Sequence, residues 1–140
     1  MKGKGIMSKK VVVLSTSLRN NSNSELLAKS FVEGAKESGN EVEYITLKNK
    51  DIRFCIGCLA CQKTGHCVIK DDVADIMNSV INADVVVWAT PIYYYEMSGQ
   101  MKTLIVLIQC IQKIISSEMS IFLRQLQKKE TKSLKKSLLD

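Results

Sequence analysis

The sequence predicts an α/β domain built on a doubly wound parallel sheet. Two observations carry this. Residues 11–15 (VVVLS) and 84–90 (DVVVWAT) are continuous apolar runs rich in β-branched residues, the pattern of strands buried on both faces. After each strand-like run, apolar residues recur at three- and four-residue steps, as in helices that lay one stripe on a sheet. Alternating strands and helices with right-handed crossovers give a strand order beginning 2-1-3. The loops after strands one and three then meet at the switch point, where ligands bind in such sheets.

Each element has its own signal. Ser22, Asn23 or Ser24 caps a helix carrying Leu27, Ala28, Phe31, Val32 and Ala35, which Gly39-Asn40 ends. Residues 41–47 (EVEYITL) read as the second strand. Residues 48–70 are irregular and hold the cysteines. Asp71 and Asp72 cap a second helix with Val73, Ile76, Met77, Val80 and Ile81 on one face. Pro91 stops the third strand, residues 92–99 (IYYYEMSG) form a loop, and Ser98 caps a helix through Met101, Leu104, Ile105 and Ile108.

The 140 residues suffice for one domain with a hydrophobic core. The net charge of +6 lies at the ends: +4 in residues 1–10, +4 in residues 106–140 and −2 between them. A folded basic face for nucleic acid is not expected. No apolar run reaches membrane-span length; the longest, Leu104–Ile108, stops at Gln109. No secretory signal precedes the first strand, and Met7 offers an alternative start. A cytoplasmic, reducing setting is therefore expected. There, the four cysteines of residues 55–67 suggest metal or redox chemistry rather than disulfides, while Cys110 reads as a buried apolar-type residue.

The loop after strand one lacks the G-x-G-x-x-G and Walker patterns. It instead runs Thr16 to Ser24 (TSLRNNSNS) into a helix start. Ser17, Ser22, Asn23 and Ser24 are neutral donors and Arg19 a charged one. Beside free helix N–H groups they suit a single phosphomonoester; the plainer reading is ordinary loop and cap residues. The loop after strand three, Thr90-Pro91-Ile92-Tyr93-Tyr94-Tyr95, offers flat apolar surface for a ring system. A tyrosine-rich surface or a dimer contact is the alternative.

Together these loops resemble those of NADPH-dependent FMN reductases and iron–sulfur flavoproteins. Thr16–Ser24 is similar to their G-S-x-R-x-x-S-N-T phosphate loop, with Thr16 in place of glycine and Ser24 in place of threonine. Residues 90–95 resemble their S-P-[IV]-Y-[FY] segment, and residues 96–102 (EMSGQMK) its continuation. The resemblance implies a flavodoxin-like fold. It further implies FMN held by Ser15, Ser17, Arg19, Ser22, Asn23 and Ser24 on one side. Pro91, Ile92, Tyr93, Tyr94, Tyr95, Met97 and Ser98 would hold it on the other. NAD(P)H would be the electron donor, and a small molecule or protein the acceptor. A homo-oligomer is implied, with no nucleic acid or membrane partner. No catalytic acid or base is nominated.

Cys55, Cys58, Cys61 and Cys67 form C-x2-C-x2-C-x5-C, a compact spacing that can wrap a [4Fe–4S] cluster, and the iron–sulfur flavoprotein pattern is similar. Free redox-reactive thiols and a structural zinc, with His66 in reserve, stay open beside it. The rival function is a non-catalytic fragment that binds iron–sulfur or zinc without flavin activity.

The resemblance fades after Ile105, dividing the chain into a flavodoxin-like part, 1–105, and a divergent basic helical tail, 106–140. Joining the last base of each codon to the first two of the next, from Ile105, synonymous codons exist that spell RTNPMYPEDYKFRDVYLLATAA. That resembles the family's continuation. The expectation is a changed reading frame, with strands four and five missing.

Overall fold

The computed structural model describes residues 8–108. Strand β1 (Lys10–Ser15) lies at the centre of the main sheet. It pairs in parallel with β2 (Glu41–Thr46) on one side and β3 (Val85–Ala89) on the other, so the order is β2-β1-β3, as predicted. Val13 lies between Tyr44 and Val87. Residues Val11 to Ser15 are all buried, which is why this strand reads as an unbroken apolar run ending in a serine.

The helices are α1 (Asn23–Glu37), the single-turn α2 (Cys61–Thr64), α3 (Val73–Ile81) and α4 (Gly99–Ile108). Side-chain alternation along β1 assigns them to two faces. Val12 and Leu14 share a core with Val73, Ile76 and Met77 of α3 and with Leu104 and Leu107 of α4. Val11 and Val13 pack on Ala28 and Val32 of α1. Both faces of the sheet are thus covered, the doubly wound arrangement. Each fully buried Val or Leu contributes about 2 kcal/mol of burial.

The structure corrects several details. In α1 the large residues Leu27 and Phe31 are 74% and 44% exposed, and the small Ala28 and Val32 take the core instead. Of the expected stripe, Ala28 and Val32 face the sheet, where they pack on Val11 and Val13 of β1. In α4 Leu107 is buried, whereas Ile105 is an exposed residue. Ile81 of α3 is likewise exposed. Residues 48–70 include α2, and the expected loop after β3 contains a hairpin of β4 (Ile92–Tyr93) and β5 (Glu96–Met97).

The aspartates before α3 do more than cap it. Asp71 accepts from the N–H of Val73 at 3.1 Å and from that of Arg53 at 3.0 Å. Asp72 occupies the cap position without a side-chain cap bond and accepts from the Asp51 N–H at 2.8 Å. The pair ties the approach to the cysteine segment onto the helix. Val106 to Ile108 continue α4, whereas Cys110, most of the expected tail, nearly all of the expected frame-changed segment and residues 1–7 lie outside the described residues. No helix among the described residues is long and apolar enough to cross a membrane.

Candidate functional site

The C-terminal ends of β1 and β3 are adjacent, and Thr16 N–H donates to the Ala89 carbonyl at 3.0 Å. Their loops form the two walls of a cavity of about 420 Å³, a size typical of small-molecule sites. One wall comes from Ser17, Arg19, Ser22, Asn23 and Ser24, the other from Thr90, Pro91, Ile92 and Tyr93.

The first wall is organised by serine hydroxyls. Ser22 caps α1 and accepts from the Glu25 N–H at 3.2 Å. Its oxygen lies 2.5 Å from Ser17 Oγ, which donates to the Arg19 carbonyl at 3.0 Å. Asn21 turns the chain at φ 53°, a conformation asparagine tolerates. Glu25 reaches back to the Asn21 N–H at 2.9 Å, a variant of the capping box. Lys29 Nζ, 2.8 Å away, donates to Glu25 and holds its carboxyl below the ordinary carboxylate range. That contact raises the lysine in turn. First-turn N–H groups have no acceptor within a helix. Ser22 takes that of Glu25, which leaves those of Asn23 and Ser24 at the cavity wall.

The second wall is apolar and partly strained. Ile92 pairs with Met97 and Tyr93 with Glu96, so Tyr94 and Tyr95 form the two-residue turn. Both have positive φ, 49° and 65°, where asparagine and glycine are usual. Their rings stand 5.9 Å apart, edge to face, and are almost fully exposed. Thr90 Oγ1, Ser98 Oγ and Thr16 Oγ1 lie within hydrogen-bond reach of one another at the cavity's base.

Of the residues singled out in the sequence, Ser17, Arg19, Ser22, Asn23, Ser24, Pro91, Ile92 and Tyr93 line the cavity. Ser15, Tyr94, Tyr95, Met97 and Ser98 do not. Ser15 is fully buried at the end of β1, and its hydroxyl has no hydrogen-bond partner. Thr90, a lining residue, and Thr16 were missed; the departure of Thr16 from glycine was the available signal.

The chain's similarity to known proteins agrees with this geometry. The profile of the NADPH-dependent FMN reductase family matches residues 9–125. The chain belongs to this family. Two iron-sulfur flavoproteins are among the relatives it is similar to. That of Methanocaldococcus jannaschii is 37% identical over 95 residues, covering 68% of this chain and 49% of the relative. That of Archaeoglobus fulgidus is 34% identical over 96 residues, covering 69% and 44%. The chain spans about half the length of the curated relatives it matches. The fold is that of an NAD(P)H:quinone oxidoreductase from Methanothermobacter marburgensis, with TM-score 0.61, 18% identity, and coverage of 73% of this chain and 54% of that one.

FMN fits the donor set of the cavity. One wall carries serine hydroxyls, helix N–H groups and Arg19, donors of the kind a phosphate needs. A cubane does not fit the cysteines as placed. Cys55 and Cys58 are exposed, whereas Cys61 and Cys67 are half-buried against the α3–α4 core. Among the described residues no three His, Cys, Asp or Glu side chains converge to hold a metal ion; His66 is exposed. A larger cavity of about 670 Å³ beside this segment has Asp51, Asp71 and Asp72 in its wall. Those carboxylates disfavour a phosphate there.

Proposed function

We infer that the cavity between the β1 and β3 loops binds FMN and that the chain serves NAD(P)H-dependent flavin oxidoreduction. The observation that carries this is the pairing of a hydroxyl-lined helix N-terminus with the apolar wall of Pro91, Ile92 and Tyr93 in one cavity. Ser17, Ser22 and Ser24 and the N–H groups of Asn23 and Ser24 receive the phosphate without a buried counter-charge, and Arg19 adds a charge-assisted bond. Pro91, Ile92 and Tyr93 lie along the ring and exclude water from one side of it. Tyr94, Tyr95, Met97 and Ser98 support that wall.

FMN held between the Ser17–Ser24 wall and Pro91, Ile92 and Tyr93 would supply the hydride and electron-transfer chemistry between a nicotinamide donor and an acceptor; that redox chemistry is the cofactor's. The protein orients the ring and requires no acid or base of its own. The acceptor is a small molecule, such as a quinone or disulfide, or a redox protein. The four cysteines clustered in residues 55–67 support a cytoplasmic setting. The outer edge of β3, which has no partner strand among the described residues, supports self-association. A cluster on Cys55, Cys58, Cys61 and Cys67 is suggested by the relatives' names, and it requires the segment to rearrange.

The test is the absorbance of protein purified without air, before and after adding FMN. Resolved flavin bands that bleach with NADH or NADPH are expected. FMN that elutes free of the protein on gel filtration overturns the reading. A brown, flavin-free protein that contains iron and sulfide favours the metal-binding rival.

A further inference from the structure

Thr16 is the first residue after β1, and Ser98 immediately precedes α4. Far apart in sequence, they meet with Thr90 beneath the cavity. Thr16 Oγ1 donates to Thr90 Oγ1 at 3.0 Å, Thr90 Oγ1 to Ser98 Oγ at 3.2 Å, and Ser98 Oγ to Thr16 Oγ1 at 2.8 Å. Each hydroxyl has one proton. This arrangement uses every proton once and closes a ring running in a single direction. The Pro91 carbonyl, 3.2 Å from Thr90 Oγ1, is an alternative acceptor for one of the three.

Two backbone groups join the ring. The Ser98 N–H donates to Thr90 Oγ1 at 3.1 Å, and the Met101 N–H to Ser98 Oγ at 3.3 Å. Thr16 and Ser98 are each 1% exposed, so water does not replace a lost partner readily. Hydrogen bonds in such a low-dielectric site reinforce one another, and an orphaned member is costly.

The location gives the ring its consequence. Thr16 directly precedes Ser17, where one wall begins. Thr90 and Ser98 bracket the hairpin that carries the other wall. We propose that Thr16 is a positioning residue whose hydroxyl fixes the spacing of the two walls before ligand arrives, by holding Thr90 and Ser98. Its effect on FMN binding rests on the flavin reading above; its effect on the loops does not. A ligand that spans both walls then loses less freedom in ordering them.

Two substitutions separate hydroxyl from shape. Thr16→Val keeps the volume and removes the hydroxyl; Thr16→Ser keeps the hydroxyl. Amide hydrogen exchange of the ligand-free chain reads the loops, with the buried Val13 of the central strand β1, paired on both sides, as an internal control for global unfolding. Thr16→Val is expected to speed exchange at Ser98 and Met101 about tenfold while Val13 stays unchanged, the effect of a local opening. It is also expected to weaken FMN binding about tenfold, measured by flavin fluorescence, and to change the visible circular dichroism of bound flavin. Thr16→Ser is expected to restore both within about twofold.

Parent-like exchange in Thr16→Val overturns the proposal. So does a Thr16→Ser chain that behaves like Thr16→Val, because the methyl group would then be responsible. If Thr16→Val does not fold, Thr90→Val opens the ring from its other side, and parent-like exchange at Ser98 overturns the proposal there. If all chains leave FMN unbound while the amides respond as expected, the clamp stands and the flavin reading fails.

Discussion

Ser17 Oγ and Ser22 Oγ lie 2.5 Å apart and close the loop between β1 and α1 upon itself. One hydroxyl serves two structures, because Ser22 also caps the helix through the Glu25 N–H. Ser22→Ala removes both contacts. It is expected to lower stability by about 1 kcal/mol, the usual value of a cap. It is also expected to weaken FMN binding more than that loss explains. Urea unfolding and a flavin titration on the same variant check this, and an unchanged FMN affinity would detach Ser22 from the site.

Glu25 makes part of this stability pH-dependent. The Lys29 hydrogen bond, with Lys29's charge and the Asn21 N–H behind it, lowers the carboxyl's pKa in the folded chain; desolvation opposes them. A folded value below the unfolded one means that the stabilisation is fully present at neutral pH. It is lost as pH falls through the folded value. The urea midpoint should therefore fall between roughly pH 5 and 3, and Glu25→Gln should flatten that part of the profile. An equal slope in both proteins would show that the contact does not hold in solution.

Tyr94 and Tyr95 occupy turn positions that favour Asn-Gly. Replacing them as Tyr94→Asn with Tyr95→Gly is expected to raise stability by about 1 kcal/mol through relief of backbone strain. If the strained turn serves the apolar wall, the same double variant binds FMN less tightly. Higher stability with unchanged affinity would confine the tyrosines to some other contact.

Leu14 is wholly buried between α3 and α4. Leu14→Ala should cost about 3 kcal/mol by the cavity it leaves. Thermal unfolding followed by circular dichroism measures this directly. A loss below about 1 kcal/mol would mean that the helices close over the gap.

The reading frame is tested on the gene itself. The expectation is that the nucleotide sequence downstream of the codon for Ile105 spells the family-like segment in the shifted frame. A gene whose shifted frame lacks that segment leaves the tail as a divergent sequence in its own right.

The sheet order was legible because β1 and β3 both carry unbroken Val runs; β1 is buried along its length, whereas Val85 and Trp88 of β3 are exposed, so the expectation of burial on both faces holds for β1 alone. The hydroxyl-lined wall of the cavity was legible because Ser17, Ser22 and Ser24 sit where a strand gives way to a helix, and local chemistry dictates that junction. The core face of α1 was not legible. Leu27 and Phe31 fit a helical stripe as well as Ala28 and Val32 do, and only the distance of α1 from β1 chooses between them. The hairpin around Tyr94 and Tyr95 was hidden for a similar reason, since its turn residues carry no turn signature.

By itself the sequence determined the alternation of strands and helices, the switch point and the residue types offered there, because these follow from local periodicity and capping. Tertiary structure alone decided that Thr16, Thr90 and Ser98 hydrogen-bond to one another, that Ser15 is left without a partner, and that no three of the four cysteines converge on a metal site. Contacts between residues distant in the chain depend on how the sheet and helices pack, and no local pattern encodes that distance.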